Sequence, residues 1–460
     1  MPLNTAIVTL EPLPRSIKIY YALGQLGWST LYGLISVWLV WFYFPPHNIP
    51  LPHLIPQGAI LGFFTVIGLI TMAGRLFDAI TDPWIANLSD KSNHPKGRRI
   101  SFMAKGAVPF AILTLLIFTP PAANTSIVNV VWLTLTLLAF YLFFTIYITP
   151  FTALLAELGR TPAEKLDLST YISFTWFLGY VIASSAANIW LLFQNAGLEL
   201  VWAIRATFAC LSIFGLICIL IPVWLIDEKK YVTSQPTQMK LFEALRAVFQ
   251  NRNFLYFTIS DLAYWTGMTI FQTGTVYYAT VLLRLPESWV TTITFLIGIL
   301  SFCCYSGVNL TAKKIGKKKL MNWAFILLMF AFIYSSFAGY FPFSKELQVY
   351  LLVILISLPM AIFGILPNAI VADIAEHDAF KTGANKEAMF FGARTFMSKV
   401  GQMLSMVLFS SLLLLGKDIG HDLGVRLTAI SAAVLCLIAL FFFLKYNEKE
   451  ILSTQKISQK

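Results

Sequence analysis

Long apolar runs are the feature of this 460-residue sequence that most limits its fold. A helix needs about 20 predominantly apolar residues to cross the hydrocarbon core of a bilayer, and about twelve stretches of the chain meet that requirement. They lie at residues 19–45, 57–86, 102–119, 127–157, 168–193, 201–226, 254–283, 289–310, 320–342, 348–375, 388–416 and 425–445. We therefore predict an all-α membrane protein with about 12 transmembrane helices.

The composition agrees with this prediction. Hydrophobic residues make up 58% of the chain and charged residues 12%, whereas soluble domains contain about 45–50% apolar and about 25% charged residues. The net charge of +11 is explained by basic residues that border the spans, so we expect no nucleic-acid partner. The five cysteines lie in apolar segments without metal-binding spacing, and no cofactor is expected.

The distribution of Lys and Arg predicts the orientation in the membrane. Most of the 33 basic residues fall in loops that share a side with both chain ends, whereas the loops on the other side hold Arg284, Lys345 and Lys417. Basic residues collect in cytoplasmic loops. We therefore expect a multi-pass protein of the cell membrane, the inner membrane in a bacterium, with both termini in the cytoplasm.

A polar segment at residues 227–253 separates two sets of spans. It predicts an N-terminal six-helix bundle at 1–226, a central cytoplasmic loop at 227–253, a C-terminal six-helix bundle at 254–445 and a cytoplasmic tail at 446–460. The sequence NLSDK after span two resembles NLTAK after span eight, and each precedes a short basic loop. Two similar halves predict transport by alternating access around a midplane cavity.

The stretch GRLFDAITDP at 74–83 places three charges inside span two. Asp78 and Asp82 are four residues apart on a helix and share a face with the hydroxyl of Thr81. Two carboxylates in a poorly hydrated site share a proton or hold a cation between them, and oxygen ligands suit a hard ion. The alternative is structural, with Asp78 paired to Arg75 and Asp82 at a helix kink.

These residues resemble a known family. The run GRLFDAITDP followed by SDKSNHPKGRR, and the later run VADIAEHDAFKTG continuing to Lys399, are similar to the glycoside-pentoside-hexuronide:cation symporters, a melibiose permease-like branch of the major facilitator superfamily. The resemblance implies a major facilitator fold with two pseudo-symmetric six-helix halves. It also implies that Asp78, Asp82, Thr81 and Thr145 form the cation site. Lys399 then couples the ion to the solute, the alternative being that it snorkels to the membrane interface.

The family's charged sugar contacts are missing from this chain, where Ser29, Ile148 and Ile172 stand in their positions. Sugar recognition requires dense polar pairing, so the substrate site is predicted from aromatic residues and one carboxylate, although most membrane aromatics only pack or anchor. The candidates are Trp28, Tyr32, Tyr147, Trp176, Asp261, Tyr264 and Trp265.

Further charges are interpreted as gating groups. Arg98 and Arg99 in the loop after span two are expected to contact Glu157 when the carrier faces outward. Arg394 is expected to pair with Asp373 or Glu387 and to latch the cytoplasmic ends of spans ten and eleven. A salt bridge present in one state shifts the balance of states by its differential free energy.

The predicted function is secondary active symport of a sugar or glycoside-like small solute, coupled to sodium or protons. The alternative is sodium-dependent transport of amphipathic, lysolipid-like solutes. An enzyme is not expected, because HExxH and a GxSxG in a suitable context are missing, and the lack of a P-loop argues against nucleotide-driven transport. A channel would not require Lys399 to balance the paired carboxylates. We expect a monomeric transport unit.

Overall fold

The computed structural model describes residues 13–159, 161–231, 250–382 and 387–451. The helices within these residues are α1 Arg15–Tyr43, α2 Val66–Asp90, α3 Arg98–Ile117, α4 Ile127–Leu158, α5 Pro162–Ser184, α6 Ala186–Asn195, α7 Leu200–Leu225, α8 Glu228–Tyr231, α9 Arg252–Tyr277, α10 Trp289–Ile315, α11 Lys317–Ser336, α12 Lys345–Thr382, α13 Glu387–Leu413 and α14 Leu423–Leu444. A π-helical turn follows α9 at Tyr278–Leu282, and a small hairpin pairs β1 Ala59–Ile60 with β2 Phe64–Thr65. Most of the predicted central loop and of the predicted tail lies outside the described residues.

The predicted all-α membrane architecture is confirmed. Ten helical spans in the described chain are long and apolar enough to cross a membrane, with α5 and α6 together forming one of them. The helices α2 and α9 have 25 and 26 residues, so each is about 38 Å long at 1.5 Å per residue. They are also long enough to cross the membrane, and they are more polar than the other spans because they carry residues such as Asp78, Asp82 and Asp261.

The helices pack as two groups. In the first, α1 packs on α5 and α7, while α4 packs on α2 and α3. In the second, α14 packs on α9 and α11, while α12 packs on α10 and α11. The groups meet where α2 lies against α13, α1 against α9 and α5 against α10. The residues of α2 and α13 are therefore at the boundary between the halves.

Two glycines with positive φ mark equivalent places in the halves. Gly97, with φ 103°, precedes α3, and the Glu228 carboxylate accepts hydrogen bonds from the backbone of Arg99 and Ile100 at 2.8 Å each. Gly316, with φ 89°, precedes α11 and stands 2.9 Å, measured from an added Cβ, from the Glu448 carboxylate. A glycine tolerates this backbone conformation and the close approach of the carboxylate.

The Glu448 carboxylate caps α11 as Glu228 caps α3, since it accepts from the backbone N–H of Lys317 at 2.7 Å and of Lys318 at 3.1 Å. In each half, a carboxylate that follows the last span thus satisfies the free N–H groups of the third span. The repeated cap supports the internal duplication that the two NL-containing runs suggested.

The side of the bundle that holds the start of α1 and the end of α14 is here named the terminal face, and the other side the opposite face. The halves are joined at the opposite face, where the Tyr277 hydroxyl donates to the Phe44 carbonyl at 2.9 Å and the Asn188 amide donates to the Thr291 hydroxyl at 2.9 Å. Between described residues, the hydrogen bonds that join the halves all lie at this face or at Lys399. The bundle is therefore closed at the opposite face.

Candidate cation and substrate site

Two carboxylates of α2 occupy the middle of the bundle. Asp78 lies midway between Val66 and Asp90, and Asp82 follows one turn nearer the terminal face. The side chain of Asp78 is 0% exposed, whereas that of Asp82 is 28% exposed. Exposure therefore rises toward the terminal face, which indicates that the site is reached from that side.

Lys399 of α13 contacts both carboxylates from the other half. Its Nζ lies 2.9 Å from Asp78 Oδ2 and also forms a short ion pair with Asp82 Oδ2. The alternative that Lys399 snorkels to the interface is therefore wrong, because the two carboxylates compensate its charge inside the protein. The ammonium takes the position between the carboxylates where a monovalent cation would find the same oxygen ligands.

Hydroxyl groups of α4 complete this group of oxygens. The Thr145 hydroxyl donates to Asp78 Oδ1 at 2.9 Å, and the Thr149 hydroxyl donates to Asp82 Oδ1 at 3.2 Å. The Thr81 hydroxyl donates to the backbone carbonyl of Phe77 at 2.9 Å and lies 3.4 Å from the Thr145 hydroxyl. The sequence interpretation missed Thr149, although its spacing of four residues from Thr145 places both on one helix face.

Arg75 does not pair with Asp78 as the sequence suggested. Its Nη2 donates to the Tyr32 hydroxyl at 2.6 Å, and its guanidinium lies 5.2 Å from the ring centroids of both Tyr32 and Tyr141. Its hydrogen bond and ring contacts thus go to aromatic side chains of α1 and α4. Pro83 lies inside α2, which continues to Asp90, so Asp82 does not cap the end of the helix as the structural alternative allowed.

The aromatic candidates of the first half separate into two groups. Trp28 and Tyr32 are half-buried on α1, with ring centroids 6.4 Å apart, and Tyr32 also contacts Arg75 near the cation site. Tyr147 is fully buried, and its hydroxyl donates to the Ile219 carbonyl at 2.9 Å, so the structure places it in the packed interior of the first half and not on an accessible surface. Trp176 on α5 is 39% exposed and stacks on Tyr180. Tyr32 is therefore the candidate of this half that contacts α2, through Arg75, and Trp28 contacts Tyr32.

The aromatic candidates of the second half lie together on α9. Tyr264 is buried and stacks on Phe363 with centroids 4.0 Å apart. Trp265 is half-buried and meets Tyr264 edge-on at 5.6 Å. The stacking buries Tyr264 in the core of its half, whereas Trp265 keeps part of its ring accessible.

Asp261 lies one helical turn before Trp265 and has a partner that the sequence did not predict. Arg394 Nε donates to Asp261 Oδ2 at 3.0 Å and Arg394 Nη2 donates to Asp261 Oδ1 at 3.3 Å. Arg394 Nη1 also donates to Asn368 Oδ1 at 2.5 Å. The expected pairing of Arg394 with Asp373 or Glu387 is therefore wrong, because the guanidinium points toward α9 and α12.

The charges near the terminal face form pairs within each half. Arg98 Nη2 and Arg99 Nη2 each lie 2.8 Å from Glu157 Oε1. Asp373 Oδ2 lies 2.6 Å from Lys317 Nζ. The expected contact of Arg98 and Arg99 with Glu157 is present here, in a bundle closed at the opposite face, whereas the sequence interpretation assigned it to the outward-facing state.

Comparison with known proteins agrees with this architecture. The family model described as MFS/sugar transport protein matches residues 20–446. The isoprimeverose transporter of Lactiplantibacillus pentosus is 22% identical over 70% of this chain, which spans 64% of that protein's length. The inner membrane symporter YicJ of Escherichia coli K12 is 20% identical, covering 94% of this chain and 88% of its own.

Among solved structures, the inward-open xylose transporter XylE of E. coli has a TM-score of 0.67 at 13% identity, covering 96% of this chain and 99% of its own. At that identity the likeness shows the fold alone. Since the family model spans most of the sequence, this multi-pass membrane protein belongs to the MFS/sugar transport family and is a transporter, not an enzyme.

Proposed function

We propose that the protein is a cation-coupled symporter of a sugar or glycoside-like small solute, with the coupling ion held between Asp78 and Asp82. The observation that carries this proposal is the ion pair of Lys399 with both carboxylates across the boundary between the halves. Family membership supports sugar-like solutes, as do relatives that carry isoprimeverose or act as symporters. The lysolipid alternative gains no support from them.

The oxygens around Lys399 provide the chemistry for ion binding. Asp78, Asp82, Thr145 and Thr149 offer carboxylate and hydroxyl ligands, which suit Na⁺ or Li⁺, and the same carboxylates can accept a proton. An incoming cation and the Lys399 ammonium carry the same charge, so they compete for these oxygens. Ion binding therefore releases Lys399 from α2, and ion release lets the ammonium return.

This exchange gives a physical basis for coupling. When Lys399 contacts both carboxylates, it links α13 to α2. Its positive charge then compensates the charge of the carboxylates in the absence of an ion. When the ion binds, the link between the halves is lost and the substrate can strengthen the loaded state. Linkage requires that the substrate raises ion affinity by the same factor as the ion raises substrate affinity.

We also propose the orientation and the unit of transport. The basic loops assign both termini, and therefore the terminal face, to the cytoplasm. With the opposite face closed, the structure then represents an inward-facing carrier built from bundles 1–226 and 254–445 in one chain. Labelling of single cysteines in the loops with an impermeant reagent on intact cells tests the orientation. Labelling from outside at residue 91 would overturn it.

The function is tested by uptake into proteoliposomes. Isoprimeverose, D-xylose and raffinose are offered under separate gradients of Na⁺, Li⁺ and H⁺. We expect one gradient to drive uptake of at least one sugar, and Asp78→Asn to abolish that dependence. A rate of sugar uptake that is the same with and without each of the three gradients would overturn cation coupling.

A further inference from the structure

We infer that Asp261, Asn368 and Arg394 form a polyol-binding subsite in the wall of the C-terminal half, where they hold adjacent hydroxyl groups of an uncharged solute. The inference rests on the proposed function, because it assigns the groups that would bind its sugar. It changes the role of Arg394 from a gating residue to a substrate-binding residue.

The three residues come from three helices that converge beside the boundary between the halves. Asp261 lies on α9 and Arg394 on α13, and these helices also pack against α1 and α2 of the first half. Asn368 lies on α12 and is exposed, while 14% of the Arg394 side chain and 5% of the Asp261 side chain are accessible. The cluster is therefore held from behind by the buried carboxylate and presents its amide and guanidinium to the accessible side.

An inventory of donors shows what the cluster still offers. A guanidinium has five N–H groups, and Arg394 uses one on Nε, one on Nη2 and one on Nη1 for Asp261 and Asn368. One N–H remains on each Nη atom. The Asn368 side chain accepts through its oxygen, so its NH₂ group is free of that bond. Each Asp261 oxygen accepts one hydrogen bond from Arg394.

This combination fits hydroxyl groups better than an anion. A hydroxyl donates one hydrogen bond and accepts others, so a pair of neighbouring hydroxyls can accept from the remaining N–H groups of Arg394 and Asn368 and donate to the exposed Asn368 oxygen, while the buried Asp261 orients the guanidinium from behind. The Arg394–Asp261 pair is neutral as a unit. A carboxylate or sulfonate on the solute would meet the negative charge of Asp261 and would have to break a bidentate ion pair in a buried position, which is costly.

The half-buried ring of Trp265 supports the same class of solute. It lies one turn from Asp261 on α9 and offers an apolar face next to the polar cluster. Sugars carry apolar C–H faces as well as hydroxyls, and an aromatic ring with polar neighbours matches both.

The subsite is connected to the cation site through one helix. Arg394 and Lys399 are five residues apart on α13, which corresponds to about 7.5 Å along the helix axis. A solute bound to Arg394 therefore holds the helix whose lysine competes with the ion, which is a direct route for coupling.

The test measures sugar and ion binding separately on purified protein. Isothermal titration calorimetry with isoprimeverose, D-xylose and raffinose gives sugar affinity, and a Na⁺ or Li⁺ titration without sugar gives ion affinity. The anionic comparison is 2,3-dihydroxypropane-1-sulfonate. The variants are Asn368→Ala and Arg394→Lys, since lysine keeps the charge but lacks the planar fork. The matched controls are Asn124→Ala and Arg15→Lys, at exposed positions remote from the cluster.

We expect both variants to weaken sugar binding at least tenfold, with ion affinity unchanged and the controls unchanged. Wild-type sugar affinity in either variant overturns the inference, and so does tighter wild-type binding of the sulfonate than of every sugar or no sugar binding at all. Failure of the proposed function is a different result, namely wild-type sugar uptake that none of the three ion gradients drives. If Arg394→Lys does not elute as a monodisperse species, Asn368→Ala decides the result.

Discussion

The Lys399 ammonium on α13 lies 2.9 Å from the Asp78 carboxylate on α2, so an ion pair joins the two halves at the middle of the bundle. Both partners are largely withdrawn from solvent, where removing one member of a pair leaves an uncompensated charge. Because the contact joins the two halves, it affects the free energy of any movement of one half against the other. Under the proposed function, this pair links binding of the ion to the conformation of the carrier.

Replacing the Lys399 ammonium is expected to reduce net sugar uptake while leaving the exchange of sugar across the membrane. In Lys399→Met, Asp78 and Asp82 of the empty carrier lack the ammonium that compensates their charge. Removing one partner of a buried ion pair typically lowers stability by about 3–5 kcal/mol. Return of the empty carrier then requires a retained ion or proton. We expect net sugar uptake by proteoliposomes to fall at least tenfold while sugar exchange persists. Lys345→Met, at an exposed position of the opposite face, is the control, and equal loss of both activities would contradict this role.

The two carboxylates are expected to differ in their effect on the ion. Asp78 is fully buried and Asp82 is 28% exposed, so water replaces lost ligation more easily at Asp82. Ion affinity, measured as ion-induced thermal stabilisation, should fall at least tenfold in Asp82→Asn and further in Asp78→Asn. Thr149→Val should give a smaller loss. Thr152→Ala, whose hydroxyl bonds within its own helix, should match wild type, and retained ion affinity in Asp78→Asn would refute the site.

The residues of this site that could be predicted from the sequence are those that lie close together on one helix. Asp78 and Asp82 are conspicuous because charges are rare in an apolar span, and their four-residue spacing fixes a shared face. The same logic applied to α4 would have added Thr149 to Thr145. The number of spans and the paired halves follow from local patterns of the same kind.

The partners of the arginines could not be predicted in this way. Arg394 and Asp261 are 133 residues apart in sequence, and their meeting depends on how α13 and α9 are rotated against each other. Arg75 had Asp78 nearby on its own helix, yet the Tyr32 hydroxyl, 43 residues away, forms its hydrogen bond. Tertiary packing determines which partner each arginine meets, and the local sequence pattern does not contain the rotation of one helix against another.

The repeated caps predict equal effects in the two halves. Glu228→Gln and Glu448→Gln each replace a charged acceptor at a helix N-terminus, which typically costs about 0.5–2 kcal/mol. We expect both variants to lower the Tm of the purified protein by a similar amount, measured by differential scanning fluorimetry. Glu199→Gln is the control, because Glu199 precedes α7 without a side-chain capping bond. A loss confined to one half would argue against equivalent roles for the two caps.

A contact at the opposite face is expected to set the balance between states. The backbone N–H of His47 donates to Asp418 Oδ1 at 2.6 Å, and the His47 ring lies 2.7 Å from Asp418 Oδ2, across the two halves. Lys417 also donates to the Pro45 carbonyl. Since these bonds exist where the face is closed, Asp418→Asn should shift the population toward opening there. Distances between spin labels at residues 124 and 345, measured by double electron–electron resonance in a cysteine-free background, should lengthen.

The same contact has a defined dependence on pH. Burial would raise the pKa of Asp418, but the hydrogen bonds from His47 and the charge of Lys417 outweigh it and hold that pKa below its ordinary value. A carboxyl with a lowered pKa stabilises the closed face above its ordinary pKa of about 3.9 and loses that effect as the pH falls through the lowered value. Between about pH 8 and about pH 5 the ionisation of Asp418 should therefore leave the distances unchanged. Asp227→Asn, at an exposed position near the terminal face, should match wild type, and unaltered distances in Asp418→Asn would show that other contacts keep the face closed.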